Sequence, residues 1–141
     1  MAGMNILAII GAGVAAWLVG AIYYTVLAKS WVAAQGLTIE QHKAMMDAKR
    51  GTIHAWLPFA LSFIADLVMA CVMSGLIGHI GAYSLRGGMI SAAFVWVGFV
   101  LTTLLVNNAF AGRRYMLTVI DTIHWLLALL VIGAIIGVWG A

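Results

Sequence analysis

Four uninterrupted apolar stretches constrain this chain more than any other feature. They cover approximately residues 5–28, 58–78, 87–110 and 115–139, and each is long enough for a helix to cross a hydrocarbon core, which takes about 20 residues. Of the 141 residues, 65% are hydrophobic and only 8% charged. A soluble domain carries roughly a quarter charged residues, because water must solvate its surface. Such a surface cannot be built here, and lipid is the solvent that fits. The stretches are continuous rather than alternating, and backbone in lipid must satisfy its own hydrogen bonds, so helices are expected and strands are not. The fold class that follows is all-α: an integral membrane protein, a four-transmembrane-helix bundle forming one domain over residues 1–141.

The boundaries of these spans carry further signals. Pro58 is read as lying in the first turn of the second span, where a missing N–H costs nothing. Trp56 and Trp139 mark span ends, as interfacial aromatics do. The first span lacks a basic leader and exceeds the length of a signal-peptide core, so it is expected to be retained. Lys29, Lys43, Lys49 and Arg50 lie in the first connection, Arg113 and Arg114 in the third, and Arg86 alone in the second. The positive-inside bias then puts the first and third connections in the cytoplasm and both termini outside, in the inner or plasma membrane. In the long first connection, Thr38 and Gln41 make a capping box, and Ile39, Met45 and Met46 supply an apolar side. A short amphipathic helix over residues 39–50, lying on the membrane surface, is expected.

Polar residues inside the spans are the informative ones. Asp66 falls in the second span, and Asp121 and His124 in the fourth. A carboxylate at the bilayer centre costs roughly 2.5–3.5 kcal/mol on insertion scales, so it must be paired, hydrated or protonated and must face other helices. Asp66 recurs at four-residue spacing with Ser62, Ala70, Ser74 and Gly78, a stripe of small residues suited to close helix approach. Asp121 and His124, three apart, share one helix face. Counted from the inner boundary, His124 is placed about as deep as Asp66. Tyr23, Tyr24, Thr103, Asn107 and Asn108 fall at shallower depths on the same side. The pattern predicts a polar pocket in the cytoplasmic half, sealed by a nearly pure hydrocarbon outer half. Ala12, Ala16 and Gly20 form a packing stripe on the first span. Gly133 and Gly137 form another on the fourth, turned about 180° from His124, against a fourth-span neighbour or a second copy of the chain.

Several function classes are excluded or unsupported. The net charge is +3, but no basic cluster interleaved with solvated aromatics points to nucleic acid. Cys71 stands alone in an apolar run and reads as a packed residue. Asp66, Asp121 and His124 supply at most three metal ligands without a further motif, so no metal site is assigned. Gly11 and Gly13 lack the third glycine of a dinucleotide loop. No nucleophile–base pair can be placed, so no catalytic residue and no cofactor are expected.

The order of motifs resembles a known family. Asn5 opens the first span, Gly20 precedes Tyr23–Tyr24, and Lys29–Ser30–Trp31 precedes Gly36–Leu37–Thr38. Val97–Gly98–Phe99, Asn107, Gly112–Arg113 and Asp121 follow, and Gly133–Ala134–Ile135–Ile136–Gly137 ends at Trp139. Together these resemble the domain-of-unknown-function 1761 family of small bacterial membrane proteins, over nearly the whole chain. Thr25–Val26 stands where that family carries a proline soon after its aromatic pair, and His124 matches no clear family position. The resemblance implies four helices and no activity.

Two functional readings follow. One is a non-enzymatic membrane component, in contact with lipid and forming a homo-oligomer, whose buried polar groups fix helix register. The other is a transporter or channel-like protein using Asp66 and Asp121 for protons, cations or a small solute. The topology is directly testable. Alkaline phosphatase fused after Ser84 or Ala141 should be active on the outer side of the membrane, and fusions at Lys43 or Gly112 should be inactive. The reverse pattern would overturn the orientation.

Overall fold

The computed structural model describes residues 5–141. The N-terminal tip, expected outside with the C-terminus, lies beyond the described residues. The elements are α1 (Ile6–Val26), α2 (Ala28–Ala34), α3 (Ile39–Lys49), α4 (Ile53–Ile80), α5 (Leu85–Val95), α6 (Thr102–Phe110) and α7 (Tyr115–Trp139). A π-helical turn, Trp96–Leu101, joins α5 to α6 so that Leu85–Phe110 is one continuous span. With α1, α4 and α7 it completes four helices long and apolar enough to cross a membrane, and no strand occurs among the described residues. Six of the seven Lys and Arg side chains belong to the end of the bundle bearing α2, α3 and the α6–α7 turn, referred to below as the basic end.

Side chains set the helix starts. Asn5 accepts the Ala8 N–H at 3.1 Å, while its own amide donates to the Trp139 carbonyl at 2.9 Å, tying the start of α1 to the end of α7. Thr38 and Gln41 form the reciprocal capping box of α3, at 2.9 and 3.2 Å. Ser84 accepts the Gly87 N–H at the start of α5. Helix α3 buries none of its residues. At 100° per residue Ile39 and Met46 share its apolar side, but Met45 is turned well away, so that side is narrower than three apolar residues suggest.

Helix α4 departs from the sequence reading. It begins at Ile53, more than a turn before Pro58, so the proline lies inside the helix and removes the N–H that would reach His54. His54 is exposed at the helix end, where water or headgroups can satisfy its carbonyl. The residues from Ile53 to Leu57, which connect poorly by hydropathy to the run after Pro58, thus add more than a turn to this helix.

Helix α7 occupies the centre and α1, α4 and α5 pack around it. It buries the largest share of any span, and Leu85–Phe110 the smallest. The core is built from small side chains on α1 (Ala8, Ala12, Ala16), Ala70, Met73 and Ile77 of α4, Ala92 of α5, and Ala128, Leu129, Ile132 and Ile136 of α7. Gly133 and Gly137 face α5, not a free surface. A Cβ added to Gly88 would collide with the Gly133 carbonyl, one on Gly133 with the Gly88 carbonyl, and one on Gly137 with the Ser84 carbonyl. Backbone meets backbone here, which is the closest approach two helices can make.

Substitution separates this contact from ordinary packing. Gly88→Ala and Gly133→Ala should each cost roughly 1–3 kcal/mol of bundle stability, the usual penalty of overpacking, measured by denaturant unfolding in micelles. Gly75→Ala, where an added Cβ meets nothing within 4 Å, should leave stability unchanged or slightly raised.

Candidate functional site

Near the basic end, α1, α2 and α7 converge on one carboxylate. Helix α1 stops at Leu27, whose ψ of 12° breaks the helical path and redirects the chain into α2. That break places Trp31 of α2 beside Tyr24 of α1, rings edge to face at 5.6 Å. Both donate to the same oxygen of Asp121: the Tyr24 hydroxyl to Oδ1 at 2.8 Å and the Trp31 indole N–H at 3.3 Å. Tyr23 donates to the Ile120 carbonyl at 2.9 Å. An apolar pad of Ala34, Leu117 and Ile120 packs around these rings and Leu27. One oxygen of this carboxyl group therefore links three helices through two hydrogen bonds.

His124 lies one turn further along α7 and is buried. Gly20 of α1 makes room for it: a Cβ there would lie 2.6 Å from Nε2. The imidazole sits between the rings of Tyr24 at 4.8 Å and Trp125 at 4.7 Å, with Tyr23 at 5.8 Å. Its Nδ1 is buried without a hydrogen-bond partner. The result is an aromatic box around an imidazole.

Asp66 does not join this cluster. On α1, Gly13 packs against Leu67, whereas Gly20 packs against His124. Two turns of α1 separate those levels, about 10 Å at 1.5 Å per residue. Equal depth was expected from counting inward from Pro58, and the earlier start of α4 at Ile53 removes the basis for that count. Asp66 is only 2% exposed, and its Oδ1 has no partner. Further along the same face Ala70 is fully buried and Ser74 also lacks a partner for its hydroxyl. Unpaired polar atoms thus extend beyond the half of the bundle in which the sequence pattern gathers them.

Asn107 also lies apart from the cluster. It is exposed on α6, while its neighbour Asn108 turns inward and donates to the Thr118 hydroxyl at 3.0 Å. The π turn at Trp96–Leu101 is the physical reason, since an extra residue in one turn shifts every following side chain out of helical phase. Trp96, at its start, donates to the Thr122 carbonyl of α7 at 2.7 Å. Sequence pattern alone does not select Trp31 or Trp96 for these contacts. The available signal was chemical: an indole N–H inside or beside a span needs a partner. Ala34 and Leu117 of the apolar pad also line an open groove at the basic end, and a second groove lies between α6 and α7.

The chain matches the family described as "Protein of unknown function (DUF1761)" over residues 7–137. It belongs to that family. The match takes in nearly all of the four spans and every residue of the Asp121 cluster. No curated protein and no solved structure matches the chain.

The clamp should respond to acceptor geometry more than to charge. Asp121→Asn retains an acceptor oxygen and should stay within about 0.5 kcal/mol of wild type. Asp121→Leu should lose about 1–2 kcal/mol, and Tyr24→Phe about 0.5–1.5 kcal/mol, magnitudes set by hydrogen bonds between membrane helices. Unfolding in micelles measures all three.

Proposed function

We propose that this chain is a non-enzymatic, oligomeric component of the inner or plasma membrane, with its basic end in the cytoplasm. One observation carries the reading: the Asp121 oxygen that faces its neighbours is engaged by Tyr24 and Trp31 of the same chain. Of the polar residues expected to form a pocket, Tyr23, Tyr24 and Asp121 support this reading, bonding α1 to α7, and Trp31 adds α2. The orientation rests on the six basic residues at one end against Arg86 at the other.

Support for an oligomer comes from the third span rather than from Gly133 and Gly137, which pack inside the chain. Phe94, Phe99 and Phe110 are strongly exposed along it, and Thr103 and Asn107 face outward beside them. Lipid covers the phenylalanines at no cost. An asparagine is both donor and acceptor, so a second copy related by a twofold axis satisfies it with its own equivalent.

A second reading is favoured by Asp66 alone. A buried carboxyl without a partner at mid-bundle is the group a proton- or cation-translocating protein requires. Reconstitution into vesicles under a proton or sodium gradient decides between the two. The structural reading expects wild type and Asp66→Asn to be equally tight. A wild-type flux that Asp66→Asn abolishes would replace it with the transport reading.

A further inference from the structure

Two grooves flank the turn between α6 and α7, and their chemistries differ. The first, about 470 Å³, lies between the end of α2 and that turn, lined by Gln35, Gly36, Gly112, Arg113, Arg114 and Leu117 among others. Its volume falls in the range of ligand sites, about 300–1,000 Å³. No acidic side chain lines it. The second, about 310 Å³, is a furrow between α6 and α7 formed by Leu105, Val106, Ala109, Tyr115 and Thr118.

The first groove holds one of its two cations in place. Helix α2 ends in a turn where the Gly36 N–H reaches the Ala33 carbonyl and the Leu37 N–H reaches the Val32 carbonyl, with Gly36 at a φ of 81°. Arg114 lies across that turn and donates through Nη1 to the Ala33 carbonyl at 3.1 Å. A Cβ on Gly36 would come within 3.2 Å of the guanidinium, so a glycine permits the arginine to rest on the backbone. Arg114 is thereby fixed by one of its five donors. Arg113 is exposed beside it. Both sit in the turn between the third and fourth spans, and such a turn at a membrane surface meets lipid phosphates.

We propose that these two grooves bind one anionic phospholipid, its phosphate on Arg113 and Arg114 and an acyl chain along the Leu105–Val106–Ala109 furrow. Phosphate suits the planar arginine fork. The apolar furrow on the other side of the same turn points to a lipid rather than to a free phosphate, which has no use for it. Occupancy would also brace α6, which α7 holds only lightly beyond the π turn.

Thermal unfolding of the full chain in a neutral detergent tests this, with phosphatidylglycerol, phosphatidylcholine or inorganic phosphate added at equal concentration. Phosphatidylglycerol should raise Tm, and the other two should not. Arg113→Gln should weaken the phosphatidylglycerol effect about fivefold while leaving Tm without lipid unchanged, because Arg114 makes the bond to Ala33. Ala109→Phe, which fills the furrow, should weaken it as well. Equal stabilisation by inorganic phosphate, or a phosphatidylglycerol effect that Arg113→Gln and Ala109→Phe leave intact, would overturn the proposal.

Discussion

The contact of backbone on backbone between α5 and α7 is the constraint around which the bundle is organised. Lipid tails are as apolar as leucine, so membrane helices gain little from hiding apolar side chains from their surroundings. They gain from dense contact and from hydrogen bonds. Gly88, Gly133 and Gly137 allow the closest contact, and it fixes which face of α7 looks toward α5. The opposite face, carrying His124, is then left for α1, whose own small residues Ala12, Ala16 and Gly20 let it close in. Helix α4 fills the remaining side through Ala70, Met73 and Ile77.

Against that frame the three ionisable groups inside the spans have different fates. Asp121 is near enough to the basic end for α2 to fold back on it, and Tyr24 and Trp31 satisfy it. His124 is enclosed by aromatic rings and keeps one nitrogen without a partner. Asp66 is the most deeply enclosed, and its Oδ1 has no hydrogen bond. The same residue type thus serves as a joint at one depth and stands without a partner for one oxygen at another. Position relative to a neighbouring donor decides which, since a donor from α2 reaches only the first turns of α7.

The third span is held at one end and released at the other. Above the π turn α5 is pressed onto α7 by the glycines, and below it α6 makes few contacts beyond the Asn108–Thr118 bond. That release opens the furrow between α6 and α7, and the α6–α7 turn brings Arg113 and Arg114 to the groove beside α2. A π turn inside a membrane helix is uncommon and is often found at functional places. Here it separates a tightly packed segment from one that makes few contacts with the rest of the bundle.

Sequence by itself determined the four spans, the absence of strands and the capped helix in the first connection. Hydropathy fixes the solvent, and in lipid the backbone leaves only one spanning choice. The spacing of Thr38 and Gln41 determined a local motif for a local reason. It also showed that Gly133 and Gly137 must pack closely on something. The tertiary structure alone decided that this something is Gly88 and Ser84 of the same chain, because helix pairing joins segments far apart in sequence. It likewise decided that Asp66 and His124 lie about two turns apart in depth, since depth depends on where each helix truly begins. Asn108 turns inward and Asn107 outward, a distinction set by the phase of α6 after the π turn. Periodicity is a property of an unbroken helix, and a single inserted residue erases it.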